Sequence, residues 1–73
     1  PGDHQSRYEL AEALYAADKR EAAADELLEI VRRQRGWNED AARKLLLTYF
    51  EAWGPSDPLT VDARRRLSSL LFA

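Results

Sequence analysis

The chain has 73 residues, no cysteine and a formal charge of −2. A chain of this length forms one domain at most, and without cysteine it has no disulfide, thiolate zinc site or thiol redox centre. Its acidic pI, near 5.3, disfavours a dedicated nucleic-acid-binding domain. Its apolar runs are far shorter than the ~20 residues that cross a bilayer, and no signal-peptide pattern is visible, so we expect a soluble, cytoplasmic domain over residues 1–73.

Helix 1 is predicted to begin near Asp3 and to end at Ala17. Asp3 is the expected N-cap, and Ser6 is the alternative because Ser6 and Glu9 have capping-box spacing. His4, the one histidine, is expected to be solvated rather than a metal ligand. The predicted core-facing residues of helix 1 are Leu10, Ala11 and Leu14, with Tyr8 and Tyr15 on the flank of this stripe.

Helix 2 is predicted from about Arg20 to Arg35, after a tight turn. Asp18 can cap it and Glu21 can bond back to the cap, which favours a helical hairpin. Outward-facing Glu29 and Arg33 have the spacing of a favourable ion pair. The predicted inward residues are Ala23, Leu27, Ile30 and Val31; Asp25, Glu26 and Arg32 are expected to face outward.

The junction between helices 2 and 3 is predicted from Gly36, Trp37 and Asn38. A glycine after a helix commonly adopts the left-handed conformation, and the next residue packs back on the last turn. We therefore expect Trp37 to contact Val31. Asn38 is the expected N-cap of helix 3.

Helix 3 is apolar on more than one face, which predicts that it is the central element of the fold. It is expected to end at Gly54 with a one-bond cap, because Pro55 has no N–H to donate. One face is formed by Ala42, Leu45, Leu46, Tyr49 and Trp53, and Leu47 and Phe50 widen the apolar surface.

Helix 4 is predicted from Pro58 to about Leu71. Asp57 is its expected cap, proline is favoured at a first helical position, and Asp62 and Arg66 have ion-pair spacing. The predicted buried residues are Leu59, Ala63, Leu67 and Leu70.

The fold class is therefore all-α, with four helices in two stacked antiparallel hairpins. A period of roughly 34 residues is typical of tetratricopeptide-like stacking. The first hairpin matches that pattern in part, through Leu10-Ala11-x-x-Leu14 and Ala23-x-x-x-Leu27. It departs from the pattern where Arg7 and Arg35 replace the usual tryptophan and proline.

Three further stretches are more specific: Gly36 to Lys44, Phe50 to Pro58, and Arg65 to Phe72. With them the chain resembles the C-terminal tetratricopeptide region of bacterial thioredoxin-like co-chaperones. The resemblance implies a C-terminal part of a longer protein, in which a thioredoxin-fold domain precedes the repeats and the protein holds unfolded or oxidatively stressed clients. Redox activity is not implied for this chain, because it has no Cys-x-x-Cys.

No catalytic constellation, cofactor motif or metal-ligand pattern is visible, so we predict a non-catalytic protein-protein interaction module. In stacked hairpins the first helix of each pair lines the concave face, where peptides bind. The repeat's groove positions correspond here to Tyr8, Glu12, Tyr15, Arg43, Leu47 and Phe50.

Two other functions compete with this prediction. Tyr8, Leu71 and Phe72 lie near the open ends of the predicted stack, which favours self-association into a homo-oligomer. A helix-turn-helix nucleic-acid binder that uses Arg64 to Arg66 is disfavoured by the acidic pI.

Overall fold

A computed structural model describes residues 3–72. These residues form four helices: α1 (His4–Ala16), α2 (Arg20–Arg33), α3 (Trp37–Trp53) and α4 (Pro58–Phe72). The predicted all-α architecture is thus confirmed. Over this described range, none of the helices has both the length and the apolarity needed to span a membrane.

The central helix is α2, which packs against α1, α3 and α4. The prediction that helix 3 is central was therefore wrong. On α3 the second apolar face is only partly covered, since Leu47 is 36% exposed, whereas α2 carries small residues that let neighbouring helices approach closely. The buried residues of α2 are Ala23, Ala24, Leu27, Leu28, Ile30 and Val31.

Helix α1 begins as predicted at Asp3, whose Oδ1 accepts a hydrogen bond from the Ser6 N–H at 3.0 Å. Its buried face differs from the predicted stripe. Leu10 is 47% exposed, while His4, expected to be solvated, is only 6% exposed. The inward stripe has the spacing i, i+4, i+7 and i+11 and consists of His4, Tyr8, Ala11 and Tyr15.

The turn between α1 and α2 uses Asp18 differently from the prediction. Asp18 has φ 63° and its N–H bonds the Tyr15 carbonyl, while the Lys19 N–H bonds the Leu14 carbonyl at 2.8 Å. This is a Schellman ending with aspartate in the left-handed position. Lys19 is the N-cap residue of α2, and no side chain forms a capping hydrogen bond at this helix start. Asp18 therefore does not cap α2, and Glu21 does not bond back to a cap.

The junction between α2 and α3 also differs from the prediction. Gly36 has φ −87°, and the left-handed residues are Asn38, Glu39 and Asp40. Asparagine and aspartate tolerate this conformation better than most residues, so Glu39 is the strained member of the turn. Asn38 lies within this turn and does not cap α3, whose regular right-handed part begins after Asp40.

The turn between α3 and α4 follows the prediction. Gly54 has φ 98° and its N–H bonds the Phe50 carbonyl at 2.9 Å. Asp57 Oδ1 accepts from the Leu59 N–H at 2.9 Å, and α4 begins at Pro58. The buried face of α4 contains Ala63 and Leu67 as predicted, together with Thr60. Leu59 and Leu70, which were also predicted to be buried, are only partly buried.

Three polar contacts connect the first hairpin to α4. Arg20 bonds Asp57 at 2.9 Å, and Arg66 bonds Asp25 at 2.8 Å. Arg35 Nη1 donates to the Leu71 carbonyl at 3.1 Å, near the end of α4. These contacts fix the position of α4 along α2, because they act at both ends of α4.

Candidate protein-binding surfaces

Aromatic rings fill the contact between α1 and α3, which we call the α1–α3 seam. The Tyr15 and Tyr49 rings are stacked, with centroids 3.9 Å apart and an interplanar angle of 6°. At the other end of the seam, Trp37 lies 5.6 Å from Tyr8 and 5.9 Å from His4. Trp37 thus ties the start of α3 to the start of α1, a role that the predicted contact with Val31 did not include.

Trp53 closes the seam at the end of α3. Its ring lies 5.7 Å from Tyr49 and 6.2 Å from Phe50, and the Arg20 guanidinium is 5.5 Å from its centroid. Its Nε1 is buried without a hydrogen-bond partner among residues 3–72. Trp53 is therefore part of the packing around the core, as the sequence predicted, rather than a free stacking platform.

Glu12 gives the seam its charge. It is exposed on α1, one turn from Tyr8, and its carboxylate acts on tyrosines of both helices. Burial and then the Glu12 charge raise the pKa of Tyr49 to about 12, and the same two causes raise the pKa of Tyr8. Both phenols therefore stay neutral at physiological pH and keep an O–H to donate.

The structure brings together only half of the predicted groove. Tyr8, Glu12 and Tyr15 lie along α1 at the edge of the seam, next to Tyr49 of α3. These four residues, the α1–α3 groove, combine the half-buried rings of Tyr8 and Tyr15, the buried ring of Tyr49 and the exposed carboxylate of Glu12. Such a surface can accept apolar side chains and hydrogen-bond a polypeptide main chain.

Phe50 lies on the side of α3 that faces α4, and helical spacing places Arg43 and Leu47 on that side as well. The Phe50 ring is 5.0 Å from the Arg64 guanidinium of α4, and Arg43 and Leu47 share its stripe at i−7 and i−3. Phe50 is only 1% exposed, so it belongs to the core and not to a groove. Position 49 faces α1, and a residue one position along a helix is rotated by about 100°, which carries Phe50 to the other side.

Charged residues line three other clefts among residues 3–72. One of them, of about 780 Å³, lies between the α1–α2 turn and the start of α4. In this cleft Arg20 donates a hydrogen bond to Asp57. That hydrogen bond is the main reason why the pKa of the Asp57 carboxyl lies below its usual value. Among residues 3–72 no cluster of three or more histidine, aspartate or glutamate residues could hold a metal ion.

The comparison with known families agrees with the helical architecture. A family model described as tetratricopeptide repeat matches residues 1–72. No curated protein and no solved structure matches the chain. Repeats of this family generally mediate protein-protein interaction and are typically non-catalytic. Because the match covers nearly the whole length, the chain belongs to the tetratricopeptide repeat family.

Proposed function

We propose that the chain is the non-catalytic interaction module of a cytoplasmic, bacterial thioredoxin-like co-chaperone, and that it binds unfolded clients or chaperone components through the α1–α3 groove. The observation that carries this proposal is the position of Tyr8, Glu12 and Tyr15 beside Tyr49. The resemblance of residues 36–44, 50–58 and 65–72 to that co-chaperone region supports the cellular context.

An extended client segment would lie across the ring edges of Tyr8 and Tyr15. Its apolar side chains would contact the exposed parts of the rings, while its main chain would bond the phenol hydroxyls. Glu12 would favour segments that carry lysine or arginine. Arg43 and Leu47 are not part of this groove, because they lie on the α4 side of α3.

The test uses a client that cannot refold, such as reduced and carbamidomethylated lysozyme, which is basic. Glu12→Lys should weaken its binding at least fivefold, because the groove then repels a basic chain. Glu51→Lys is the matched control, since Glu51 is an exposed glutamate on α3 outside the groove. If wild type and Glu12→Lys bind the client with equal affinity and have the same helicity, clients do not bind in the α1–α3 groove.

Chemical-shift mapping with the labelled chain gives an independent readout. Client addition should move the amide signals of Tyr8, Glu12, Tyr15 and Tyr49. Shifts confined to α4 would contradict binding in the groove.

Self-association is the second candidate, and the observation that favours it is the 82% exposure of Phe72 at the end of α4. A large exposed ring is stabilised by burial against a second copy. Sedimentation across a concentration range tests this function directly. A monomer at all concentrations, or a dimer that persists in Phe72→Ser, would exclude a contact made by this ring.

A further inference from the structure

A second surface lies on the other side of α3, where the described side chains are least covered. Four large apolar side chains in residues 3–72 stand out as exposed, and three of them lie on α3 or α4: Leu47 at 36%, Val61 at 46% and Phe72 at 82%. The fourth, Leu10, is on α1. The exposed apolar surface is thus concentrated along α3 and α4.

The exposed apolar residues of α4 belong to one continuous stripe along that helix. Val61, Arg65, Ser68 and Phe72 are spaced i, i+4, i+7 and i+11, which places them on one face, and all four are exposed. The short connection between Trp53 and Pro58 sends α4 back along α3, and the Arg64–Phe50 contact joins the two helices. We call Arg43, Leu47, Arg64 and this stripe the α3–α4 flank.

The flank is basic although the chain is acidic overall. Arg64 and Arg65 are exposed, and within residues 3–72 neither forms an ion pair. By contrast, the neighbouring Arg66 pairs with Asp25 and Asp62. The bordering carboxylates belong to Asp40, which pairs with Arg43 at 3.4 Å, and to Glu51, four residues after Leu47.

We propose that the α3–α4 flank is a docking site for an acidic amphipathic helix of a partner protein. The stripe from Val61 to Phe72 is about 16 Å long, which matches roughly three turns of a partner helix. Leucine-like side chains of that helix would cover Leu47, Val61 and Phe72, and its carboxylates would pair with Arg64 and Arg65.

Charge favours an acidic helix over a second copy as the occupant of the whole stripe, although the ring of Phe72 alone favours self-association. A two-fold contact of the stripe with itself would place Arg65 of each copy between the two apolar residues that the contact buries, with Arg64 of each copy beside it. Like charges across a contact are unfavourable, whereas an acidic helix neutralises them. The docking site is separate from the α1–α3 groove and does not depend on client binding there.

The probe is a designed helical peptide of about 14 residues, with leucines on one face and glutamates elsewhere, measured against a peptide in which lysine replaces every glutamate. Fluorescence anisotropy should show binding of the acidic peptide only, and the affinity should fall as salt rises. Arg65→Glu should weaken binding about tenfold. Lys19→Glu makes the same charge change at an exposed site in the α1–α2 turn, outside the α3–α4 flank, and should leave binding unchanged.

Peptide-induced amide shifts should centre on Val61, Arg65 and Ser68. The proposal is overturned by equal binding of the two peptides, by unchanged affinity in Arg65→Glu, or by shifts centred on α1. It is also overturned if the chain alone forms a dimer that Arg65→Glu alters, since a second copy would then be the occupant. Failure of Glu12→Lys to affect client binding has no bearing on these outcomes.

Discussion

Tyr15 of α1 and Tyr49 of α3 lie face to face, with ring centroids 3.9 Å apart and planes 6° from parallel. This contact joins the first helices of the two hairpins directly, beside the packing that each makes with α2. The pair therefore fixes how the second hairpin is placed on the first and, at the same time, forms part of the proposed groove.

The first prediction concerns the energy of this stack. Aromatic pairs contribute about 0.5–1.5 kcal/mol beyond their buried area. A double-mutant cycle with Tyr15→Leu, Tyr49→Leu and the double variant should give a coupling energy in that range, measured by urea unfolding. Additive effects of the two substitutions would show that the rings contribute only through burial.

The second prediction is that Trp53→Ala abolishes the cooperative unfolding transition. Its ring packs against Tyr15, Tyr49 and Phe50, and truncating such a side chain typically costs ~3–5 kcal/mol, comparable to the whole stability of a domain this small. Thermal unfolding followed by circular dichroism measures this. Leu10→Ala, at an exposed position of α1, is the control and should change stability by less than about 0.5 kcal/mol. A cooperative transition near the wild-type midpoint in Trp53→Ala would refute the prediction.

The third prediction compares alanine substitutions at the two glycines that flank α3, Gly36 before it and Gly54 after it. Nothing lies within 4 Å of a Cβ added at either position, so space is not the difference. Gly54 has φ 98°, where an L-residue is strained, and Gly54→Ala should destabilise the fold by about 1–3 kcal/mol.

Gly36 has φ −87°, which alanine adopts freely. Gly36→Ala should therefore be neutral or stabilise the fold by up to about 1 kcal/mol, because it reduces the entropy of the unfolded chain. Denaturant midpoints measure both variants. A loss in Gly36→Ala as large as that in Gly54→Ala would mean that position 36 needs a left-handed residue.

The fourth prediction concerns acid stability. Hydrogen bonds from Arg32 and Arg33 lower the pKa of Glu29 from 4.5 to about 2. A carboxyl group whose pKa is lower when folded contributes stability above its unfolded pKa, and that contribution is lost as the pH falls from about 4.5 towards 2. Glu29→Gln should therefore be less stable than wild type at neutral pH, and the difference should shrink at pH 2–3. Urea midpoints at several pH values check this, and a constant difference would contradict it.

The sequence predicted local features where one residue type has one strong conformational preference. Asp3 and Asp57 cap their helices as expected, and Gly54 ends α3. Asp18 and Gly36 were predicted wrongly, because several residues of each turn could supply the left-handed conformation. In the first turn Asp18 itself supplies it, and in the second Asn38 to Asp40 do.

The candidate groove was predicted only in part for a related reason. Helical spacing shows that Tyr8, Glu12 and Tyr15 share one side of α1, and this holds whichever helix lies beside them. It cannot show which side of α3 faces α1, since Tyr49 and Phe50 are adjacent, similar in size and both buried. The stack on Tyr15 and the contact with Arg64 assign them to opposite neighbours.

By itself, then, the sequence determined four helices, their hairpin arrangement and the absence of thiol chemistry, because these follow from short-range preferences and from composition. Only the tertiary structure decided that α2 is central, that His4 is buried and that α3 presents different residues to α1 and to α4. The physical reason is that an amphipathic pattern records which side chains must be covered, whereas the rotation of each helix and the packing of its neighbours determine what covers them.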